Sequence, residues 1–353
     1  MIRLKVDNID IEVQDGQTIL DAAAKAGIYI PTLCHRDGVE HYSSCMVCMV
    51  RDKIKKGYIP SCTALAQEGM EIDASGEDVL ELRKKAVELL LSEHRAECEA
   101  PCRVVCPAGY NIPLMNRLLS EGKYVEAVEL VISELDSPEI RCVTCQGYCE
   151  NACRRKKVDK PISIRNIKIF ISHNLNKFGG LDKGVPLSEF QDLRKRFSSR
   201  IGKLNDDELK EWLKECPDEG MRYESFEDFE SAGQEAKSCM HCDCRASQDC
   251  RLRDLSQTLV QKDKPGKVIN APITKKINKN TGLVFENAKC IKCGLCVRVC
   301  EDSKDEPALC FIHRGFISII SEPLTEDFDN ILKTQTGKVI KVCPTGALAN
   351  FKQ

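Results

Sequence analysis

Hydrophobic and polar residues alternate from the start of the chain: Ile2, Leu4 and Val6, then Ile9, Ile11 and Val13, on either side of Asn8. A period of two marks strands with one buried face, so a hairpin turning at Asn8 is predicted. Thr18 can cap a short helix running through Ala24, which Gly27 closes. Ile28, Tyr29 and Ile30 then lead through Pro31 to Cys34. From Gly76 to Leu91 the period becomes helical, with Val79, Leu82, Ala86, Leu89 and Leu90 expected on the inner side. A second helical stretch is predicted from Ile112 to Leu135, on Leu114, Leu118, Tyr124, Ala127 and Val131. Residues 180–235 are polar and charged, with helical pieces expected near Leu187–Phe197 and Asp206–Cys216. No repeat of fixed period is found.

These patterns divide the chain into five segments. Residues 1–75 read as a compact α+β unit and 76–178 as a helical, cysteine-rich unit. A charged helical connector (179–235) and a small four-cysteine segment (236–282) precede a last cysteine-containing unit, 283–353. A formal net charge of -2 argues against nucleic-acid binding through a broadly basic surface. Aromatic residues make up only 5%, so something besides a large apolar core is expected to hold the chain together.

The 22 cysteines suggest what that is. Disulfides need an oxidising compartment, yet the opening MIRLKVDNIDIEVQ lacks a basic segment followed by an apolar run. No stretch approaches the roughly 18 consecutive apolar residues of a membrane span, so a cytoplasmic location is expected. The thiols sit two to four positions apart in bursts, as ligands around one metal centre do.

Four groups can be distinguished. The first is Cys34, Cys45, Cys48 and Cys62, in a loop-rich unit suited to a [2Fe–2S] core, with structural zinc as the alternative. The second is Cys98, Cys102, Cys106, Cys142, Cys145, Cys149 and Cys153, one thiol short of the eight that two [4Fe–4S] cubanes need. His94, four residues before Cys98, is a candidate eighth ligand, and Gln146 or another oxygen or nitrogen donor is its rival. The third is Cys239, Cys242, Cys244 and Cys250, read as one centre holding either [4Fe–4S] or zinc. The fourth starts as CIKCGLCVRVC: Cys290, Cys293 and Cys296 with the remote Cys343 make one [4Fe–4S] site. Cys216, Cys300 and Cys310 are left as buried hydrophobes, with Cys300 or Cys310 as an alternative to Cys343. The run Arg154–Lys157 reads as solvated surface, as a counter-charge to a nearby cluster, or as a docking patch.

Around the first group the chain resembles the plant-type ferredoxin domain that opens the large iron–sulfur subunit of NADH dehydrogenase. The resemblance implies a β-grasp fold, and in that family a His–Cys₃ cluster follows the domain. CRVVCPAGYNIPL, CENACRR and PISIRNIKIF resemble the amino-terminal domain of the glutamate synthase small subunit, shared with dihydropyrimidine dehydrogenase. That family implies a helical unit with two [4Fe–4S] clusters, each drawing ligands from both bursts. CIKCGLCVRVC, Arg314–Phe316 and VCPTGAL resemble the ferredoxin-like segment of the NADH dehydrogenase subunit. The expected fold is therefore α+β and multidomain: β-grasp ferredoxin domain, α-helical two-cluster domain, C-terminal ferredoxin-like domain.

One [2Fe–2S] and three to four [4Fe–4S] centres make sense as a wire for single electrons. No G-x-G-x-x-G or G-x-x-x-x-G-K-[ST] is present, so no flavin or nucleotide site and no catalytic residue are expected in this chain. The resemblances imply an NADH-oxidising flavoprotein donor near Cys34–Cys62 and a further redox subunit, in a complex that can include electron bifurcation. A structural or redox-sensing interaction protein is the alternative reading; a cluster with an open coordination position is a third.

Overall fold

The computed structural model describes residues 1–351 except 41, 96, 135–137, 176–205, 215, 217–221, 247–248, 260–273 and 302–306. In chain order its elements begin with β1 (Ile2–Val6), β2 (Ile9–Val13), α1 (Ile19–Lys25), β3 (Met49–Asp52), β4 (Gly57–Pro60), β5 (Glu71–Asp73) and α2 (Glu77–Glu93). Next come α3 (Pro101–Val104), α4 (Ile112–Ser120), α5 (Tyr124–Glu134), α6 (Pro138–Thr144), α7 (Tyr148–Asn151), α8 (Ile164–His173), α9 (Asp206–Leu213) and α10 (Phe229–Lys237). The last are α11 (Arg251–Leu259), β6 (Lys275–Ile277), β7 (Leu283–Glu286), α12 (Leu295–Arg298), β8 (Cys310–Ile312), β9 (Ile319–Ser321), α13 (Thr336–Val342) and β10 (Leu348–Asn350). They form two compact units. The first comprises Met1–Arg95, Gln248–Pro272 and Lys276–Phe351, and the second is built on Ala96–Ser247 with Ile273–Lys275.

In the first unit the expected hairpin forms, with Leu4 opposite Ile11 and Val6 opposite Ile9. Asp7 and Asn8 hold φ of 48° and 68°, the left-handed pair that tight hairpins favour. β1 also pairs in parallel with β5, giving a mixed sheet in the order β2-β1-β5-β3-β4. Thr18 caps α1 in a reciprocal box with Asp21. The buried side of α2 is Val79, Arg83, Ala86, Val87 and Leu91, not the set expected from its apolar residues, and Leu89 is exposed. Arg83 takes the inner place because its Nε donates to the Met49 carbonyl at 2.9 Å, a partner that hydropathy does not register. Later in this unit β7 pairs antiparallel with β10, and β8 with β9, around Leu283, Phe285, Ile320, Val339 and Leu348.

The second unit is helical. The stretch expected as one helix from Ile112 to Leu135 is two, broken at Gly122, whose φ of 74° no continuing helix allows. The most deeply buried positions of α4 are consequently Ile112, Met115 and Leu119, with Leu114 and Leu118 half-buried. Asp206–Leu213 is helical as expected; the piece near Leu187–Phe197 lies outside the described residues.

α10, a helix that the sequence pattern does not single out, belongs to the core of this unit. Phe229 packs on Phe170 and Tyr124, with ring centroids at 5.0 and 5.5 Å. Glu235 is fully buried and meets Arg222 at 2.9 Å and the Ser163 N–H at 3.0 Å. Polar side chains disguise this packing in the sequence, because beside Phe229, Ala232 and Ala236 the helix meets its neighbours through a buried charge pair and a glycine. At Gly233 a Cβ would stand 2.8 Å from the Leu119 carbonyl oxygen of α4.

This contact makes a direct prediction. Gly233→Ala would ordinarily gain up to ~1 kcal/mol of helix propensity, but here the methyl meets backbone that cannot swing away. The variant is expected to lose about 1–3 kcal/mol. Denaturant unfolding of anaerobically prepared protein checks this, and a rise in stability would reject the close packing.

Candidate metal centres

The Cys34–Cys62 loop hangs from the mixed sheet, and all four thiols are buried. They form one hydrogen-bonded set: Cys45 and Cys62 face Cys34, and Cys62 faces Cys48 with sulfurs 3.2 Å apart. Donation from Cys45 and Cys62 holds the Cys34 thiol low, and donation from Cys62 holds Cys48 low. Cys45 and Cys62 are pushed up in return by Cys34. The backbone N–H groups of Ser44, Cys45 and Val47 also point at these sulfurs, stabilising negative charge there. From α11, Arg251 braces the loop, donating to the Thr32 carbonyl at 2.6 Å and the His35 carbonyl at 3.4 Å.

In the same unit Cys290, Cys293, Cys296 and Cys343 line one recess with about 330 Å³ of empty space. These are the four residues that the sequence pattern selects. Burial pushes the Cys290 and Cys293 thiols up to about 12, so each must shed a proton to bind iron. The Lys292 N–H donates to the Cys290 sulfur at 3.3 Å, and the Thr345 hydroxyl lies 3.7 Å from Cys343. Cys300 is buried near Cys296, outside the lining, and Cys310 sits on β8 opposite Ser321.

The two sites adjoin. The Arg298 guanidinium lies 4.0 Å over the Tyr42 ring and 3.3 Å from Glu40, both on the first loop. Gly294 has φ of 78°, and a Cβ there would meet Tyr42 at 3.1 Å. Cys34 is close enough to Cys293 for its charge to raise that thiol.

His94 caps α2 in this unit and is buried. Its Nδ1 is 2.9 Å from the Lys289 carbonyl, which only accepts, so the proton sits on Nδ1 and Nε2 carries the lone pair. Burial first, and then Lys289, lowers its pKa to about 4, keeping the ring neutral. The Thr345 hydroxyl donates to the same carbonyl at 2.9 Å, and the Cys250 thiol is directed at the adjacent Pro344 carbonyl at 4.0 Å.

In the second unit the helical bursts separate into two sets. Cys142 and Cys149 both feel the charge of Cys106, and Cys142 that of Cys145. Lys168 reaches this set from α8; it is buried, with Nζ 5.6 Å from the Tyr110 ring centroid and its ammonium on Cys142. Burial lowers its pKa, and the thiols of Cys149, Cys142 and Cys106 more than restore it. The other set is a recess with about 350 Å³ of empty space, lined by Cys102, Cys153, Cys239 and Cys242 together with Asn116, Arg154 and Arg155.

The third cysteine group is therefore dispersed. Cys239 and Cys242 face this recess, the Cys244 N–H donates to the Cys98 carbonyl at 3.0 Å, and Cys250 belongs to the first unit. Spacing along the chain could not reveal this, because the partners of Cys239 and Cys242 lie on α3 and just after α7. Gln146, the rival eighth ligand, is exposed and accepts from the Tyr148 hydroxyl at 3.1 Å. Of the basic run, Arg154 and Arg155 are buried while Lys156 and Lys157 face solvent. Cys216 packs with Trp212 and Met240. Among the described residues no three His, Cys, Asp or Glu side chains close on a single ion, and no helix is long and apolar enough to cross a membrane.

Three family models match. Residues 1–76 match a 2Fe-2S iron-sulfur cluster binding domain, and 84–179 match dihydropyrimidine dehydrogenase domain II, 4Fe-4S cluster. Residues 283–349 match the ferredoxin-like domain of NADH-quinone oxidoreductase subunit 3. The domain composition matches that of iron–sulfur subunits of NADH dehydrogenase- and hydrogenase-type complexes. Among relatives of such iron–sulfur subunits, the chain is 30% identical to the NADPH-Fe(3+) oxidoreductase subunit alpha of Geobacter sulfurreducens, over 41% of this chain and 18% of that one. It is 28% identical to the gamma subunit of the NAD-reducing hydrogenase of Cupriavidus necator, over 42% of this chain and 64% of that one. It therefore spans less than two thirds of the length of either. A crystal structure of an NAD+-reducing [NiFe]-hydrogenase shares the fold, with TM-score 0.50, 16% identity, and 99% of this chain and 87% of that chain covered.

The placement of Lys168 carries a prediction. An ammonium facing ligand sulfurs favours the more negative, reduced state, so Lys168→Met should lower the potential of one cubane and leave iron content unchanged. A change of about 59 mV per tenfold in equilibrium sets the scale. Redox titration followed by paramagnetic resonance reads it, and unchanged potentials at every cubane would reject the electrostatic role.

Proposed function

We propose that this chain is a multi-cluster electron-transfer subunit, carrying electrons between a flavoprotein that oxidises NADH and another redox module of an oxidoreductase complex. The observation that carries the reading is the junction in the first unit, where the Cys34–Cys62 loop and the Cys290–Cys296 loop share the Tyr42–Arg298 contact. Two sulfur cages packed this closely suit transfer of single electrons. When bound, the clusters would supply one-electron redox chemistry.

The chain's own groups do the rest. The sheet and α11 hold the first loop in shape, Arg251 bracing it from behind. N–H donors and buried cations offset the charge of thiolates, and burial keeps water away from them. The residues fit [2Fe–2S] in the first cage and [4Fe–4S] in the recess around Cys290, Cys293, Cys296 and Cys343. With the second unit this gives three to four cubanes. His94, whose Nε2 carries its lone pair, is the non-thiol donor we keep as a candidate ligand.

The donor docks near Cys34–Cys62, where Met46 stands exposed next to Cys45. A nicotinamide nucleotide stands in the names of both relatives described above, which supports a donor of that class. Catalysis at either end belongs to partners in this reading, and work in the cytoplasm keeps the thiols available for iron.

Anaerobically prepared protein should contain acid-labile sulfide and show centres that titrate reversibly. NADH should reduce them only when the flavoprotein partner is present, and the [2Fe–2S] signal should be split by a nearby reduced cubane. Centres that stay silent across physiological potentials would overturn the wire. His94→Ala should change one cubane signal and lower iron by up to one cubane. An unchanged spectrum would remove His94 from the ligands.

A further inference from the structure

The helical domain that matches the two-cluster family ends at residue 179, and two of the thiols that face its recess lie beyond it. Cys239 and Cys242 are delivered there by a specific framework. α10 lies against α4 through Gly233, and Cys239 follows directly after this helix, its N–H bonded to Ala236 O at 3.0 Å. His241 then adopts φ of 44°, turning the chain sharply between the two cysteines. Asp243, fully enclosed, is gripped by both Nη atoms of Arg117 on α4, with one contact at 3.1 Å. The hairpin is thus fixed at both ends, with its thiols toward Cys102 and Cys153.

The four thiols form one electrostatic set. Cys102 feels Cys239, Cys153 and Cys242 and, after them, Cys149 of the neighbouring set, while Cys242 in turn feels Cys239 and Cys153. The lining is also built for an anionic guest. Arg154 faces Cys242, and Arg155 completes the wall. Asn116 is 1% exposed; its amide is turned toward the Cys239 thiol, and neither amide atom has another hydrogen-bond partner among the described residues. A buried amide without a partner is costly unless something in the recess accepts from it.

We propose that Cys102, Cys153, Cys239 and Cys242 together hold one [4Fe–4S] cluster, and that the Asn116 amide donates a hydrogen bond to a sulfur of that site. Each thiol gives up its proton to solvent on binding iron. The inference rests on the electron-transfer reading above and deepens it. It leaves Cys98 outside the recess and supplies two thiols from beyond the helical bursts: Cys106, Cys142, Cys145 and Cys149 then make the second cubane of the unit, and no histidine is needed there. The segment between the two halves of the ligand set becomes a tether that iron closes, so this cluster reports the docking of α10 as well as carrying charge.

The test uses the full chain, purified without oxygen from iron-replete cells. Iron, zinc and acid-labile sulfide in the parent protein come first, since a colourless, iron-free parent would defeat the electron-transfer reading itself. Cys102→Ser, Cys153→Ser, Cys239→Ser and Cys242→Ser should each abolish or shift the same single cubane signal and lower iron by up to one cubane. Cys145→Ser should act on a different signal. Variants of Cys239 and Cys242 that alter a signal untouched by Cys102→Ser would overturn the proposal, as would stoichiometric zinc lost on their substitution. Asn116→Ala keeps every thiol and covers the case in which serine variants do not fold. It should make one cubane about tenfold harder to reduce at unchanged iron content, and no shift in any potential would overturn the assigned donor.

Discussion

A thiolate is stable inside protein only where donors or cations face it, because burial by itself pushes the thiol toward its protonated form. Most of what distinguishes this chain follows from that constraint. Where thiols have each other and backbone N–H groups, as at Cys34 and Cys48, their protons are loosened before any metal arrives. Where they are merely buried, as at Cys102, Cys296 and Cys242, protons are held tightly, and iron must displace them. The cations that accompany the second kind come from α8 and from the turn after Cys153: Lys168 on Cys142, and Arg154 facing Cys242 while also paired with Glu97.

The same constraint explains why the core is so modest in aromatics. In the helical unit, paired charges and cysteines occupy places that Leu or Phe would fill in an ordinary bundle. Glu235 with Arg222, Arg117 with Asp243 and Arg103 with Glu99 are all buried pairs. Such pairs contribute little net stability compared with apolar packing, but breaking one leaves a charge stranded. Their geometry is directional in a way that apolar contact is not. That suits a unit whose task is to hold sulfurs at fixed points.

How far the sequence disclosed this depends on the range of each interaction. The hairpin at Asn8 and the cap at Thr18 are local, and both were legible from period and side-chain chemistry. The recess around Cys290, Cys293 and Cys296 was legible too, with Cys343 included, because ligand spacing in a ferredoxin-like run is itself a local rule. The inner face of α2 was misread at Leu89 because Arg83 is buried by a backbone acceptor 34 positions away. The break at Gly122 was a visible glycine that helical periodicity overrode. For the Cys239 pair, clustering along the chain pointed to its nearest neighbours, Cys244 and Cys250, whereas the fold turns it toward Cys102 and Cys153. Two irregularities hinted at this: a helical group with one thiol too few, and a small group with an awkward single-residue gap.

That arrangement has a consequence for how the helical unit stays intact. A disulfide ties two points by one covalent bond; a four-thiolate cluster ties as many segments as contribute ligands, and only while iron is present. In the recess the ligands come from α3, from the turn after α7 and from the turn after α10, so loading iron would join three segments. Stability and redox competence are then coupled in the same atoms. Damage to this cluster by oxidation would loosen α10 from α4 as well as interrupt electron flow, so that a chain unable to conduct also becomes a chain that no longer holds its shape.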